Sequence, residues 1–513
     1  MPADLTPFRV AILGGGTAGW MAACLMATRW QDRPVEITVI ESPEIGIVGV
    51  GEGSTPQLNV FFRTLGLTEA DWMPACNATW KNGIRFRRWS SAPGFDSYFH
   101  PFLSVIDVHT QQAFFLSTLL RRNGYDVPAH PDAFFLSTRL AEQRLAPLPA
   151  RQFPFDMAYG YHFDAFLVGQ CLARFAQSLG VRHQQARVDA VDLTDSGDVA
   201  ALRLDDGSRI TADLFVDSSG FRALIGQRAL GVPFRAFTDN LFADAAVTLP
   251  TPPDPTGTNA HTTATALDCG WVWDIPLRNR TGNGYVYASA FCSADAAEQE
   301  LRRHLDLLDA DVEARHLKMR VGRVEQHWAR NCLSVGLSQG FIEPLEATAL
   351  HLVQATVEGF LDAFDGEGDI ETRRAAFNAR INRRFDGVRD YIVCHYRMNR
   401  RDDTPYWRAN REHDRLSDSL KAILSTWFTG ADLSAEIERQ GIADIYPALS
   451  WHCLLAGYGQ YPDPTRLRRD PAAEARIDRP GIADFLDRCQ LNFRDHRTLL
   501  DAMVPGGRHP AVG

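Results

Sequence analysis

No apolar run in the 513 residues approaches the ~18 needed for a membrane-crossing helix. There is no internal repeat, no low-complexity linker and no pair of cysteines at CxxC spacing. The nine cysteines (24, 76, 171, 269, 292, 332, 394, 453 and 489) are dispersed and odd in number. They point to reduced thiols and give no disulfide or zinc framework, so no metal site is expected. Concentrated positive charge is also missing. The net charge is −10, whereas phosphate binding needs a basic surface, so no nucleic-acid partner is expected. The clusters Arg85-Phe86-Arg87-Arg88 and Arg397-Met398-Asn399-Arg400-Arg401 read as solvated faces with stems packed on apolar surface. A strand over 8–13 leaves no room for a basic and then apolar leader, so a cytoplasmic protein without membrane attachment is expected.

What is present is ordinary in composition, with 45% hydrophobic and 23% charged residues, and long enough for a large core and two or three lobes. Phe8–Leu13 reads as a short apolar strand, Gly14–Gly19 as a tight turn, Trp20 to Trp30 as a helix and Val35–Glu41 as the next strand. A glycine-rich loop follows over 43–56. Residues 57–90 read as helical and then extended, and 92–158 as irregular, rich in Pro and aromatics. His162 to Leu179 has helical spacing. Val188 to Thr211 alternates around the hairpin signal Asp205-Asp206-Gly207, and Leu214–Asp217 is another buried strand. Residues 262–292 read as strands around a turn at Thr281-Gly282-Asn283-Gly284. Leu333–Gly336 is a last short strand, and from about 347 the chain reads as mainly helical.

Gly14-x-Gly16-x-x-Gly19 between a strand and a helix lets backbone approach a pyrophosphate at a helix N-terminus, with Thr17 and Ala18 opening that helix. Glu41 closes the second strand, where a carboxylate can accept ribose hydroxyls. Two later strands, Leu214–Asp217 and Asn331–Val335, also end in glycine turns, at Gly220 and Gly336. Such late returns favour FAD over NAD. The expected fold class is therefore α/β, with a Rossmann-like FAD-binding module of the glutathione-reductase or hydroxylase type and a mainly helical substrate lobe. The module is expected over 1–345, with a helical insertion at about 57–158, and the substrate-covering region over 346–513. Only one nucleotide fingerprint is present, so reduced flavin is expected from a separate flavin reductase.

Three stretches carry a more specific signal: Gly14-Gly15-Gly16-Thr17-Ala18-Gly19-Trp20, Trp271-Val272-Trp273-Asp274-Ile275-Pro276, and Gly336 to Ala349 with Glu343-Pro344-Leu345-Glu346 inside it. With them the chain, from about residue 8 to about 465, resembles the flavin-dependent tryptophan halogenase family. Gly336-Leu337 lacks the acid that flavin hydroxylases carry at this turn, and the family resembles the chain in that absence too. The resemblance implies a flavin-dependent halogenase that uses reduced FAD, oxygen and a halide, chloride or bromide, to halogenate a small aromatic molecule. It is compatible with a homodimer.

Residue by residue, the resemblance makes Lys81 the essential lysine that holds hypohalous acid. It makes Glu346 the carboxylate near substrate; on spacing alone Glu346 falls in the first turn of the helix after Pro344, where it could equally serve as a cap. Thr348 and Ala349 correspond to the halide site, at a helix start with free N–H donors. The family commonly has Ser at the position of Ala347 and a smaller residue at that of Ala349, which leaves the halide preference open. Trp271 and Trp273, at period two on one face of a strand, correspond to indoles that keep organic substrate away from the flavin. His100, Phe102 and Trp451 resemble the family's aromatic walls against substrate, and the loop 46–56, with Gly49 and Gly51, resembles its strap between the two sites. Family members acting on free tryptophan grip its amine and carboxylate with a Tyr pair shortly before the aromatic Trp. Arg439 and Gln440 stand there instead, with only Tyr446 following, so an indole derivative or another electron-rich arene is expected. A single-component FAD hydroxylase and a non-catalytic flavoprotein are the competing readings.

Overall fold

The computed structural model describes residues 7–44 and 51–503. A six-stranded sheet has β1 (Phe8–Leu13) beside β2 (Val35–Glu41) on one side and Leu214–Asp217 on the other, all parallel. Cys332–Ser334 extends the sheet beyond Leu214–Asp217, and Arg182–Gln185 extends it beyond β2. A central parallel strand is covered on both faces, which is why Val10–Leu13 of β1 is a continuous buried apolar run. In register, Leu13 faces both Ile40 and Asp217, so the glycine turn, Glu41 and Ser218 converge at the carboxyl edge, where doubly wound sheets bind ligands. Helix α1 (Thr17–Arg29) is buried without interruption from Gly19 to Met26, because it is packed against the helices Ala165–Ser178 and Ala349–Asp365 as well as the sheet.

A seven-stranded sheet carries Trp271 and Trp273 on the strand Gly270–Pro276, and its far edge is β5 (Gly83–Arg87) and β6 (Ser97–Pro101). A third, three-stranded sheet sets the local geometry of the site. Its middle strand, Gly160–Asp164, pairs with β3 (Gly51–Gly53) on one side and β4 (Thr79–Lys81) on the other. His162 is thereby held opposite both Gly53 and Thr79, and Lys81 opposite Gly160. Beyond residue 346 the chain is mainly helical, and the 28-residue helix Ile370–Arg397 passes its last three turns through the core.

Three local readings need correction. The stretch 92–158 is not irregular: it holds β6, the 15-residue helix Val108–Arg122 and the shorter helix Leu136–Glu142. Thr281-Gly282-Asn283-Gly284 is not a turn but the start of the strand Thr281–Tyr287, and the reversal lies at Leu277–Arg280. Gly284 serves packing, since a Cβ there would sit 2.1 Å from the Trp273 ring. Glu346 is not in a helical first turn. It ends a 3-10 turn, Pro344–Glu346; Ala347 then reverses into the left-handed region (φ 55°), and the helix starts at Ala349 with Thr348 as its N-cap. A left-handed Ala is unfavourable by ~1 kcal/mol, so nothing local announces it.

Candidate active site

A cavity of about 610 Å³ opens at the carboxyl edge of the parallel sheet. Gly14 to Ala18, Glu41, Gly51 and Gly336 line it, together with Lys81, Trp271, Trp273 and Ala349. The glycines form the cradle a pyrophosphate needs. Gly14 has φ +115°, and a Cβ there would strike the Ser218 carbonyl oxygen at 2.2 Å. A Cβ on Gly16 would meet nothing within 4 Å, so that position faces open space at the start of α1. Gly336 (φ +61°) abuts Ala18, whose Cβ would be 2.7 Å from an added one, so the last glycine turn closes on the first. Glu41 reaches the cavity while its Oε2 lies 2.9 Å from His183 Nε2. Gly19 is buried beneath the turn, its absent Cβ leaving room for the Gly14 carbonyl at 1.9 Å. Gly49 lies outside the described residues.

Lys81 is where this cavity meets a second, buried cluster. It is fully buried, its Nζ has no hydrogen-bond partner among the described residues, and it sits 5.3 Å over the Phe102 ring. Burial pushes its pKa down to about 7 against the pull of Glu346. It is one of only three lysines in the chain, and the others, Lys318 and Lys421, are exposed. Glu346 Oε1 lies 2.9 Å from His395 Nε2, at poor hydrogen-bond alignment, and His395 Nδ1 is 2.7 Å from the Tyr458 hydroxyl. Burial alone would raise the Glu346 carboxyl, but His395, His100 and Lys81 outweigh it and hold it below the usual range. His100 is itself pushed down to about 4 by burial, so near neutrality it is uncharged, and His395 and Lys81 supply the effect. Glu343, three residues earlier, goes the other way: burial pushes its pKa up to about 8, and it keeps its proton.

Not every expected residue converges on the cavity. Thr348 is buried and does not line it, whereas Ala349 does. Trp271 and Trp273 lie 6.1 Å apart, and both indole N–H groups lack partners. His100 and Trp451 are both buried with unpartnered ring nitrogens, and Tyr391 lies between them, 6.3 Å from His100 and 4.7 Å from Trp451. Tyr391 and His395 are functional candidates that sequence reasoning missed. Arg439 is committed to Glu436 at 2.6 Å, and Gln440 to Ser419 and Glu436; Tyr446 stacks on Tyr391 at 3.6 Å.

Residues 9–474 match the tryptophan halogenase family. The chain belongs to that family. Tryptophan 6-halogenase SttH of Streptomyces toxytricini is 36% identical over 91% of this chain and 93% of its own length. Two solved flavin-dependent halogenases superpose over nearly the whole chain. BrvH from Brevundimonas sp. BAL3 has TM-score 0.82 at 35% identity, covering 97% of this chain and 99% of its own. Xcc4156 from Xanthomonas campestris has TM-score 0.83 at 33% identity, covering 99% and 100%. This family member is therefore an enzyme, a flavin-dependent halogenase, and the α/β fold expected from the sequence is the family's. Among the described residues no helix is long and apolar enough to cross a membrane, and no cluster of His, Cys, Asp and Glu could hold a metal ion.

The buried ammonium has a measurable cost. Unfolded, Lys81 titrates near 10.5, and folded near 7. Below pH 7 both states carry the proton and the burial cost is complete. Between 7 and 10.5 the fold sheds a proton that the unfolded chain keeps, so the cost fades as pH rises. Lys81→Met in flavin-free enzyme is expected to be more stable than wild type at pH 6 by about 2–4 kcal/mol, with the gap narrowing toward pH 10. Urea unfolding at the two pH values checks this, and a gap that widens with pH would contradict the assignment.

Proposed function

We propose that the enzyme uses reduced FAD, oxygen and chloride or bromide to halogenate an indole derivative or another electron-rich arene, and that a separate flavin reductase supplies the reduced flavin. The observation that carries this reading is a buried, unpartnered lysine on the same cavity as the glycine cradle, facing an ionised glutamate. Gly14, Gly16, Thr17, Ala18 and Gly19 would receive the pyrophosphate, Glu41 the ribose, and Gly51 and Gly336 the approach to the ring system. Bound reduced flavin would give oxygen two of the four electrons that reduce it, and halide would give the other two as it becomes hypohalous acid, with water as the second product. Halide would rest on free N–H groups at the helix start, at Thr348 and Ala349.

Lys81 donates a hydrogen bond to hypohalous acid and keeps it from diffusing. With its pKa near neutrality it also presents some free amine, which can carry the halogen on nitrogen. Glu346 stabilises the cationic arene and takes its proton. His100, Phe102 and Trp451 fix which carbon faces Lys81, and Trp271 and Trp273 occupy the space between arene and flavin. Free tryptophan is disfavoured because Arg439 and Gln440, which stand in place of the Tyr pair, are engaged with Glu436 and Ser419.

The test is an assay with reduced FAD from an added reductase, an indole panel and each halide, read by mass spectrometry. Halogenated product that requires halide supports the reading, and hydroxylated product without halide overturns it. The cofactor part has its own check. Gly16→Val should fold, since the added side chain meets no protein atom near its Cβ, yet weaken FAD binding at least about tenfold by occupying the phosphate position. Unchanged FAD affinity by fluorescence titration would sink that assignment.

A further inference from the structure

Gly53 has no side chain, and the space over it is shared by three buried polar residues. A Cβ at Gly53 would lie 3.1 Å from Lys81 Nζ, 3.4 Å from Thr262 Oγ1 and 3.6 Å from His162 Cδ2. Thr262 and Lys81 both line the cavity of about 610 Å³, and Lys81 Nζ has no hydrogen-bond partner among the described residues. The protons behind Thr262 can be assigned by elimination. Thr79 Oγ1 donates to the Pro276 carbonyl at 2.7 Å, and a carbonyl can only accept, so the single hydroxyl proton of Thr79 is committed there. Thr79 Oγ1 also lies 3.0 Å from His162 Nδ1, where it must accept, which puts the imidazole proton on Nδ1. Burial, then the charge of Lys81, hold His162 far below its ordinary pKa, so the ring carries one proton only. Its Nε2 is therefore a lone pair, and Thr262 Oγ1, 2.9 Å away, must donate to it. With that proton turned inward, Thr262 offers the cavity an oxygen that can only accept.

We propose that Thr262 is a positioning residue for the oxidant: held acceptor-only by the Thr79–His162 relay, it takes the O–H of hypohalous acid while Lys81 binds the same molecule from the other side. This rests on Lys81 being the anchor of that oxidant. A donor on one side and an acceptor on the other fix the orientation of a small molecule that a lone ammonium would hold loosely. The relay gives Thr262 its polarity without a charge, so it does not compete with Lys81 or Glu346.

The experiment measures how oxidant divides between halogenated arene and free hypohalous acid caught by an added thioether. Thr262→Val keeps the shape and removes the hydroxyl; its free fraction relative to product should rise about five- to tenfold, the loss of one hydrogen bond. Thr262→Ser should stay within about twofold of wild type. Thr79→Val, distant from the oxidant, should move the ratio the same way by a smaller factor, because Thr262 is then free to turn its proton outward. A readout without flavin accompanies these. Carbamylation of Lys81 by cyanate, followed against pH by peptide mass spectrometry, should show a lower midpoint in Thr262→Val than in wild type, since the ammonium loses a facing lone pair.

Wild-type partitioning and an unmoved midpoint in Thr262→Val overturn the proposal. If that variant does not fold, wild-type partitioning in Thr79→Val overturns it alone. Should Lys81→Ala halogenate normally, the anchor itself is wrong; should Lys81→Ala fail while Thr262→Val partitions as wild type, only the role of Thr262 falls.

Discussion

Lys81→Ala is expected to abolish arene halogenation while FAD binding persists and hypohalous acid continues to form. The geometry separates the two halves of the work. The glycine cradle that would hold flavin is built at the edge of the parallel sheet, whereas Lys81 comes from β4 in a different sheet. Removing its side chain empties a buried position without touching the cradle. Truncation also deletes a buried charge that, among the described residues, has no hydrogen-bond partner and whose burial outweighs the pull of Glu346, so the fold gains where function is lost. Product should drop below detection, because hypohalous acid then diffuses off before meeting the arene. Thioether trapping should recover it. An indole halogenated at the wild-type rate by Lys81→Ala would falsify the mechanism and move the hydroxylase reading ahead.

Glu346→Gln is expected to slow halogenation on the order of 10²-fold without ending it, as for loss of one general base or electrostatic stabiliser. The amide keeps the shape and can still meet His395 Nε2 at 2.9 Å through its oxygen, but it neither takes the arene proton nor carries charge. Ionisation of Glu346 depends on its neighbours, so the wild-type rate should fall as acid protonates this carboxyl below the ordinary glutamate range. That acid limb should be absent in Glu346→Gln. A limb that survives in the variant would assign it to another group. Single-turnover rates across pH, with reduced flavin supplied chemically, separate this from any effect on the reductase.

Parts of this were legible in the chain because their causes are local. The glycine turn announces itself, since strand, turn and helix are contiguous and each glycine has a steric reason. The two tryptophans at period two share a strand face for the same reason. Lys81 has no local signal at all; only the long resemblance singled it out, because its meaning comes from burial by distant segments. His395 was missed because it meets Glu346 from across the fold, along a helix that looks like any other. The pairing of Gly53, His162 and Thr79 depends on sheet register among three separated segments, and register between distant strands is not written in any one of them. Ala347 in the left-handed region was invisible because alanine normally favours the opposite choice.

The scarcity of lysine has a consequence for the lifetime of such an enzyme. Hypohalous acid attacks amines, and on the proposed mechanism an oxidant that slipped past Lys81 would meet a chain with 53 basic side chains of which all but three are guanidinium groups. Delocalisation and permanent protonation leave arginine a far poorer nucleophile than an amine with an accessible lone pair. Solubility and ion pairing are thus supplied by a cation that would tolerate such a reagent. Among the cationic side chains, self-inflicted damage should fall first on Lys318, at the rim of the cavity, and on Lys421, leaving the arginines intact, while the thioether of Met319 on the same cavity is the faster sink for the oxidant.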